Sequence, residues 1–321
     1  MNDVIQTIYK ELRILRARLI RVKMARAHAQ LARLKSDQEH VFNSLKRNFP
    51  AIYATLKSHD ISQFITPTWE KYNARVEEAF LPTPPFCFLN DPTIMETMFA
   101  TRGGRCLREE LKYLEWTIPK VRLEVLLEED YAGDPVLLNT TYLTSHNSIH
   151  HLYHLIRFSK KTNCDLNEID SVIEWGGGYG NMAKIFQRLK TKPSTYVIID
   201  TPLFSCIQWL YLATAIGPGN VNLFQKPEDE IARQKINLLP VCFVDSVDIS
   251  SDLFISTWGL SESSSFSQDY VVRRNWFDAK HILLAYSKSH GGTDRMAQIA
   301  AVTGIPSEEI EFLRGNYYSF R

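Results

Sequence analysis

The fold of this chain is decided near its middle by the run Ser171-Val172-Ile173-Glu174-Trp175-Gly176-Gly177-Gly178-Tyr179-Gly180-Asn181. The run begins with apolar, β-branched residues, which predict a buried strand. Residues 181–190 then have the spacing of a helix. Glycines between the two allow a sharp turn and a close approach of the backbone to a ligand. The stretch therefore predicts a strand, a ligand-binding turn and a helix.

Further apolar runs of strand length follow, separated by helical stretches such as residues 203–215. With the first strand they cover residues 171–173, 195–199, 221–224, 253–256 and 281–285. This alternation predicts a doubly wound parallel sheet. Residues 309–313 and 317–320 flank a glycine-containing turn and predict a terminal hairpin. The expected fold is α/β, Rossmann-like, with a seven-stranded sheet.

The first 49 residues differ from the rest in charge. Residues 1–47 carry 11 Lys or Arg and 4 Asp or Glu, whereas the remainder is net acidic. Apolar residues recur there at spacings of three and four without Gly or Pro, which predicts one long basic helix. Three roles fit it: a coiled coil or partner-packing helix, an amphipathic helix on an anionic membrane, or a solvated helix on the body. Asp3 and Glu11 disfavour an organelle presequence.

The rest of the chain divides into two regions. Residues 50–164 have dense Pro and Gly punctuation and short amphipathic stretches without strand-like alternation. We expect a helical, substrate-side region there, followed by the ligand-binding domain at 165–321.

Composition excludes several classes of protein. The chain has 321 residues, 45% of them hydrophobic, and no apolar run approaches the roughly 18–20 residues of a membrane span. The first residues have no basic patch leading into an apolar run, so we expect no secretory signal. Five scattered cysteines without a Cys-x-x-Cys pair argue against a disulfide framework or structural zinc. The acidic body argues against nucleic-acid binding. We expect a cytoplasmic protein, with the arm available for oligomerisation or for peripheral attachment to the inner face of the membrane.

The acid that precedes the glycines indicates the ligand. A dinucleotide fingerprint, G-x-G-x-x-G, would need its third glycine where Asn181 stands, which disfavours a nicotinamide dehydrogenase. Glu174 would repel a phosphate, but it suits a cation, and S-adenosylmethionine carries an ammonium and a sulfonium. The pattern acid-x-Gly-x-Gly-x-Gly resembles the class I S-adenosylmethionine-dependent methyltransferases. A tight turn without a ligand is the other interpretation.

A narrower resemblance covers roughly residues 130–321. Ile-Glu-Trp-Gly-Gly-Gly-Tyr-Gly at 173–180, Ile-Asp-Thr-Pro at 199–202 and Phe-Ile-Ser-Thr-Trp-Gly-Leu-Ser-Glu at 254–262 look similar to bacterial sugar O-methyltransferases, a family tied to polysaccharides and glycosylated metabolites. The resemblance implies S-adenosylmethionine as cofactor and a sugar or glycan as acceptor. The cofactor residues it implies are Glu174, Gly176, Gly177, Gly178, Gly180, Asp200, Thr201, Asp245, Ser246 and Thr257. Asp200 would accept hydrogen bonds from the ribose hydroxyls, and Asp245 would meet the adenine.

Methyl transfer to a weakly acidic hydroxyl needs a base or a metal ion beside the acceptor. Glu262 and His290 are candidate bases because they follow the fourth and fifth predicted strands, at the ligand-binding edge. His146 is a third candidate, from a cluster at 145–154 that holds four of the nine histidines. In a helix, His146, His150 and His154 share one face. That face could hold a metal, line the pocket or be merely polar, but no Asp or Glu interleaves, so no metal is expected.

Aromatic residues near these motifs could stack on a sugar ring. They are Trp175, Tyr179, Trp258 and Trp276. Two other functions stay open at this point: O- or N-methylation of a small metabolite, and a non-catalytic scaffold that recruits a partner through the basic arm.

Overall fold

The computed structural model of the protein describes residues 35–98, 104–138, 142–287 and 295–321. Residues 1–34, which hold most of the predicted long helix, and His290 lie outside the described residues. Residues 35–45 are helical, and the chain turns at 46–48 before the next helix begins at Phe49.

The end of the basic arm is part of the folded body. Gln38 is buried, and its Oε1 accepts hydrogen bonds from the backbone N–H groups of Tyr131 and Ala132 at 2.7 and 2.9 Å. Phe42 is fully buried, with its ring 5.3 Å from that of Phe86. Residues from 35 onward therefore belong to the core, whatever residues 1–34 do.

Within the described residues, eight strands form one sheet. They are β1 (Ser171–Trp175), β2 (Thr195–Asp200), β3 (Val221–Leu223), β4 (Ile236–Pro240), β5 (Leu253–Thr257), β6 (His281–Ser287), β7 (Ser307–Glu309) and β8 (Asn316–Phe320). Their order is β3-β4-β2-β1-β5-β6-β8-β7. β1 to β6 pair in parallel, β8 runs antiparallel to β6, and β7 runs antiparallel to β8.

The direction of winding reverses at β1. Glu174 on β1 pairs with Ile198 on β2 and with Ile255 on β5, so the chain crosses to one side first and to the other later. β1 and β2 are almost continuously buried, as expected of parallel strands covered on both faces. Ligands bind at such a switch point, beyond the carboxyl ends of the strands.

Helices cover both faces of the sheet. Those before it are α1 (Phe49–Lys57), α2 (Pro67–Phe80), α3 (Pro92–Met98), α4 (Gly104–Thr117), α5 (Lys120–Leu126) and α6 (His146–Thr162). The helices that lie between its strands along the chain are α7 (Asn181–Leu189), α8 (Pro202–Ile216), α9 (Gly259–Glu262), α10 (Ser265–Arg273) and α11 (Arg295–Val302). α6 packs between α4 and α7, which brings the helical region beside the helix that follows the glycine-rich turn. Across the described residues, no helix is both long and apolar enough to span a bilayer.

The structure confirms the doubly wound α/β fold and corrects its details. The sheet has eight strands rather than seven, because β4 lies between β3 and β2. Apolar residues continue past the end of β4 and hide its boundary, but at Pro240 the chain leaves the strand and forms a 3-10 turn, Val241–Ser246. The terminal hairpin is confirmed, with its first strand at Ser307–Glu309 instead of 309–313.

Candidate functional site

A cavity of about 420 Å³ lies at the carboxyl ends of β1, β2 and β5. We call one side the sheet wall; it consists of the lining residues within 174–179, 199–201 and 257–259. We call the other side the helix wall; it consists of the lining residues within 64–69, 96–98 and 150–151. The cavity volume falls in the ordinary range of small-molecule sites.

Glycine at position 176 lets two loops of the sheet wall touch. Gly176 has a φ of +76°, and a Cβ there would lie 2.7 Å from the Cα of Gly259. A Cβ on Gly259 would lie 2.6 Å from the carbonyl oxygen of Trp175. The loops after β1 and β5 therefore meet backbone to backbone, and a side chain at either position would separate them.

Two carboxyl groups lie in the sheet wall, buried Glu174 and half-buried Asp200. Glu174 is 1% exposed and accepts a hydrogen bond from the Tyr196 hydroxyl at 2.9 Å, and burial raises its pKa to about 8. Asp200 accepts hydrogen bonds from the backbone N–H of Thr201 and from Gln208 Nε2, each at 2.8 Å. Burial raises the pKa of Asp200 to about 7. Because desolvation opposes both negative charges, a cation in the cavity would stabilise them.

Most of the residues expected to bind the cofactor line this cavity. They are Glu174, Gly176, Gly177, Gly178, Asp200, Thr201 and Thr257. Gly180, in contrast, is the N-cap of α7, and its missing side chain would point at Leu212.

The other two expected cofactor residues, Asp245 and Ser246, also lie elsewhere. Both are exposed at the end of the 3-10 turn, where Asp245 accepts a hydrogen bond from the Tyr270 hydroxyl at 2.8 Å. Val241, at the start of that turn, lines the cavity instead. The reason is that β4 ends at Pro240, so the strand edge comes earlier in the chain than the position of Asp245 implied.

Trp258 adopts an unusual backbone conformation in the sheet wall. Its φ is +64°, which is costly for a bulky residue and is typical of functional sites. Its indole N–H donates to Asn316 Oδ1 at 2.8 Å, and its ring stacks on His150 with centroids 5.7 Å apart. Among the other predicted aromatics, Trp175 and Tyr179 line the cavity, but Trp276 packs against Phe254 in the core.

Glu262 and Trp69 meet where the two walls join. Glu262 ends α9 and is open to the cavity, yet the surrounding protein desolvates it enough to raise its pKa to about 7. Trp69 donates a side-chain hydrogen bond to it, which opposes that rise. The Trp69 ring also packs edge-on against Phe204, with centroids 5.9 Å apart. No motif marks Trp69 in the sequence, because its role depends on a tertiary contact between α2 and α9.

The histidine cluster forms the first turns of α6. As predicted, His146, His150 and His154 share a face, with successive ring centroids 6.1 and 4.1 Å apart. That face packs inward: His154 Nδ1 lies 2.5 Å from the Tyr318 hydroxyl. His146 does not line the cavity, whereas His150 and His151 do.

These two lining histidines have different partners. His150 Nδ1 lies 2.7 Å from Glu110 Oε1, and His151 Nδ1 lies 3.1 Å from Asn181 Nδ2. Within the described ranges, no group of three or more His, Cys, Asp or Glu side chains is arranged to hold a metal ion. His151 could not be identified as a site residue from the sequence, because it lies off the face that His146, His150 and His154 share.

Comparison with known proteins gives no family for this chain. No family model matches it, and no curated protein matches it. Similar solved structures include a ribosomal protein L11 methylase from Lactobacillus delbrueckii subsp. bulgaricus, with 12% identity over 54% of this chain and 77% of that chain at a TM-score of 0.37. A SAM-dependent methyltransferase from Aquifex aeolicus has 13% identity over 66% and 96%, with a TM-score of 0.37. The mitomycin 7-O-methyltransferase MmcR has 11% identity over 55% and 54%, with a TM-score of 0.36. At so low an identity and overlap, function has to be inferred from the site of this chain.

Proposed function

We propose that this protein is an S-adenosylmethionine-dependent O-methyltransferase that acts on a sugar hydroxyl of a bacterial polysaccharide, glycoconjugate or glycosylated metabolite. The observation that supports this cofactor is the pair of carboxyl groups, buried Glu174 and half-buried Asp200, beside a glycine-lined cavity at the switch point of the sheet. The assignment of a sugar as the acceptor rests on the sequence resemblance.

The chemistry of the sheet wall fits this cofactor, which when bound supplies an electrophilic methyl group on a positively charged sulfur. Glu174 faces the ammonium and sulfonium end, where a cation restores its ionised form. Asp200 accepts hydrogen bonds from the ribose hydroxyls. The buried Oγ1 of Thr201, which has no hydrogen-bond partner among the described residues, adds a further polar atom.

Glu262 acts as the base in this proposal. A carboxyl group open to the cavity with a pKa near 7 can take a proton at neutral pH. The cofactor would supply the methyl group to the acceptor oxygen, and Glu262 would take the proton that the acceptor hydroxyl loses. His146 lies outside the cavity lining, and His290 lies outside the described residues.

The helix wall suits a sugar acceptor. Phe64 and Trp69 offer aromatic faces for a sugar ring, and Trp258 offers another from the opposite wall. Glu96 and Glu262 provide carboxylate oxygens that accept hydrogen bonds from sugar hydroxyls.

Residues 1–34 are assigned to a protein partner, a second copy or an anionic membrane surface. Deleting them should leave cofactor affinity unchanged and alter oligomer size or liposome flotation. The deletion must stop before residue 35, since Gln38 and Phe42 are part of the core. Unchanged light scattering and flotation would contradict this assignment.

Calorimetry with S-adenosylmethionine tests the cofactor. We expect the wild type to bind it, and Glu174→Gln to bind about tenfold more weakly, because a hydrogen bond to a charged group contributes roughly 1.5–3 kcal/mol. Glu228→Gln removes an exposed carboxyl outside the cavity and is the matched control. Labelled methyl donor and a panel of bacterial surface glycans, followed by mass spectrometry, test the acceptor.

The outcomes separate the alternatives. A wild-type protein that fails to bind S-adenosylmethionine would contradict the proposal and favour the scaffold. Transfer to small metabolites alone would keep the methyltransferase and replace the sugar.

A further inference from the structure

His150 and His151 are neighbours on α6, but their partners fix opposite tautomers. The pair of His150 Nδ1 and Glu110 Oε1 is almost completely buried, with 2% and 3% of the side chains exposed. A carboxylate oxygen accepts hydrogen bonds, so His150 carries a proton on Nδ1.

His151 ends a chain of hydrogen bonds that begins at a buried ammonium. Lys184 is fully buried, and its Nζ lies 2.9 Å from a carboxylate oxygen of Glu129 and 2.9 Å from one of Asp130. Burial opposes the charge of Lys184, but the two carboxylates outweigh that effect and raise its pKa. Lys184 Nζ also donates to the Tyr211 hydroxyl oxygen at 2.6 Å. Since an ammonium can only donate, the direction of this bond is fixed.

The direction of the bond from Lys184 to Tyr211 also determines which atom donates in the next two hydrogen bonds of the chain. Burial raises the pKa of Tyr211 well above its ordinary value, so the phenol keeps its proton. The acceptor that the structure provides for this proton is Asn181 Oδ1, at 3.1 Å. The Asn181 amide nitrogen consequently faces His151 Nδ1 at 3.1 Å and donates to it. His151 Nδ1 must then accept, and the ring proton of His151 resides on Nε2.

The imidazole of His151 stays neutral in this position. Burial, together with His150 and Lys184, lowers its pKa to about 3. Its side chain is half-buried and lines the cavity. His151 is therefore held as a neutral hydrogen-bond donor at all physiological pH values.

We propose that the Nε2–H of His151 binds the carboxylate at the methionine end of the cofactor. This inference rests on the proposed function. Among the described lining residues there are four carboxyl side chains, Glu96, Glu174, Asp200 and Glu262, and no Lys or Arg. A carboxylate bound in that cavity needs neutral donors, since the described lining supplies no positive charge to pair with it.

The position of His151 in the site is also consistent with binding of the cofactor's carboxylate. Asn181 is the first residue of α7, directly after the glycine-rich turn, so its bond to the imidazole places His151 beside that turn. Glu174, at the other end of the turn, faces the ammonium. The zwitterionic end of the cofactor thus meets an acceptor and a donor, and Lys184, Tyr211 and Asn181 act as positioning residues for the donor.

Ligands that differ only in the carboxylate test the proposal. By calorimetry, His151→Phe should bind S-adenosylmethionine about tenfold more weakly than the wild type does, and should bind decarboxylated S-adenosylmethionine with unchanged affinity. His151→Gln retains a side-chain N–H and should recover most of the loss. Equal weakening of both ligands in His151→Phe would overturn the proposal while leaving the cofactor in place. A wild type that binds neither ligand would instead refute the proposed function.

The tautomers can be measured without any ligand. Nitrogen-15 NMR of the histidine side chains should show His151 protonated on Nε2 and His150 protonated on Nδ1. Tyr211→Phe removes the donor to Asn181, so the amide can rotate; we expect His151 to become a mixture of tautomers, while His150 keeps its state. A wild-type His151 protonated on Nδ1 would overturn the relay, and so would an unchanged tautomer in folded Tyr211→Phe.

Discussion

The sheet wall and the helix wall of the cavity hold their functional groups in place in different ways. In the sheet wall, strand ends and glycine backbone fix the positions of two carboxyl groups, buried Glu174 and half-buried Asp200. In the helix wall, the functional groups are side chains such as Trp69 and His151, each held by a residue of another element. The sheet wall can therefore keep the same ligand while side-chain substitutions in the helix wall change what binds there. On the proposed function, the sheet wall and His151 bind the cofactor, and the remaining residues of the helix wall receive the acceptor.

The largest effect is expected where the walls join. Glu262→Gln keeps the size of the side chain and removes the base, so turnover should fall about 100-fold or more. Affinity for S-adenosylmethionine should stay unchanged, because Glu262 lies apart from the carboxyl pair of the sheet wall. Steady-state transfer of labelled methyl and calorimetry measure the two quantities, with Glu228→Gln as control. Unchanged turnover would remove Glu262 as the base.

A substitution inside the sheet wall should act on cofactor affinity instead. Gly176→Ala adds a Cβ at positive φ, 2.7 Å from the Cα of Gly259. We expect the free energy of unfolding to fall by about 3 kcal/mol, from backbone strain and overpacking. S-Adenosylmethionine should bind about 100-fold more weakly, as the two loops separate.

The control for this variant is Gly219→Ala, whose added Cβ meets no atom within 4 Å. Chemical denaturation and calorimetry on both proteins give the comparison. If Gly176→Ala kept both its stability and its affinity, the contact between the loops would have no part in binding.

The sheet wall could be predicted from the sequence because its geometry is local. A strand, a glycine-rich turn and a helix occur within one short run, and the position of Glu174 follows from that run alone. Asp200 follows in the same way from the end of the next strand. Such backbone-determined features depend little on distant packing.

The helix wall could not be predicted, since its residues meet only through tertiary packing. Trp69 on α2 meets Glu262 on α9 only through tertiary packing, and no local pattern encodes that contact. Asp245 shows the converse error: it follows an apolar run, but β4 has already ended at Pro240. The position of a strand end is fixed by its neighbours in the sheet as well as by its own residues.

Through the two carboxyl groups of the sheet wall, changes of pH should move cofactor affinity and the free energy of unfolding in opposite directions. The pKa values of Glu174, about 8, and Asp200, about 7, lie above their ordinary values. A cation binds the ionised forms, so affinity for S-adenosylmethionine should rise about tenfold between pH 6 and pH 7. From about pH 4 to pH 8 the folded protein binds more protons at these groups than the unfolded chain does. Their contribution to the free energy of unfolding therefore falls as pH rises.

Glu174→Gln separates this effect from other titrations. The variant should show a flatter pH dependence of affinity in calorimetry and a smaller loss of stability with rising pH in denaturation. If the wild type and the variant had parallel profiles, Glu174 would not be the group that meets the cation.

The smallest effect is expected from Trp69→Phe, which keeps an aromatic face in the helix wall and removes the indole N–H. That hydrogen bond lowers the pKa of Glu262 against burial, so its loss lets the pKa rise above about 7. The acidic limb of the turnover profile should shift to higher pH by less than about one unit, and turnover at pH 6.5 should fall about threefold. Trp116→Phe, at a residue 86% exposed, is the matched control. A drop of equal size at every pH would contradict tuning of Glu262. Trp69 would then act on the acceptor alone, and the division between the two walls would be sharper than proposed.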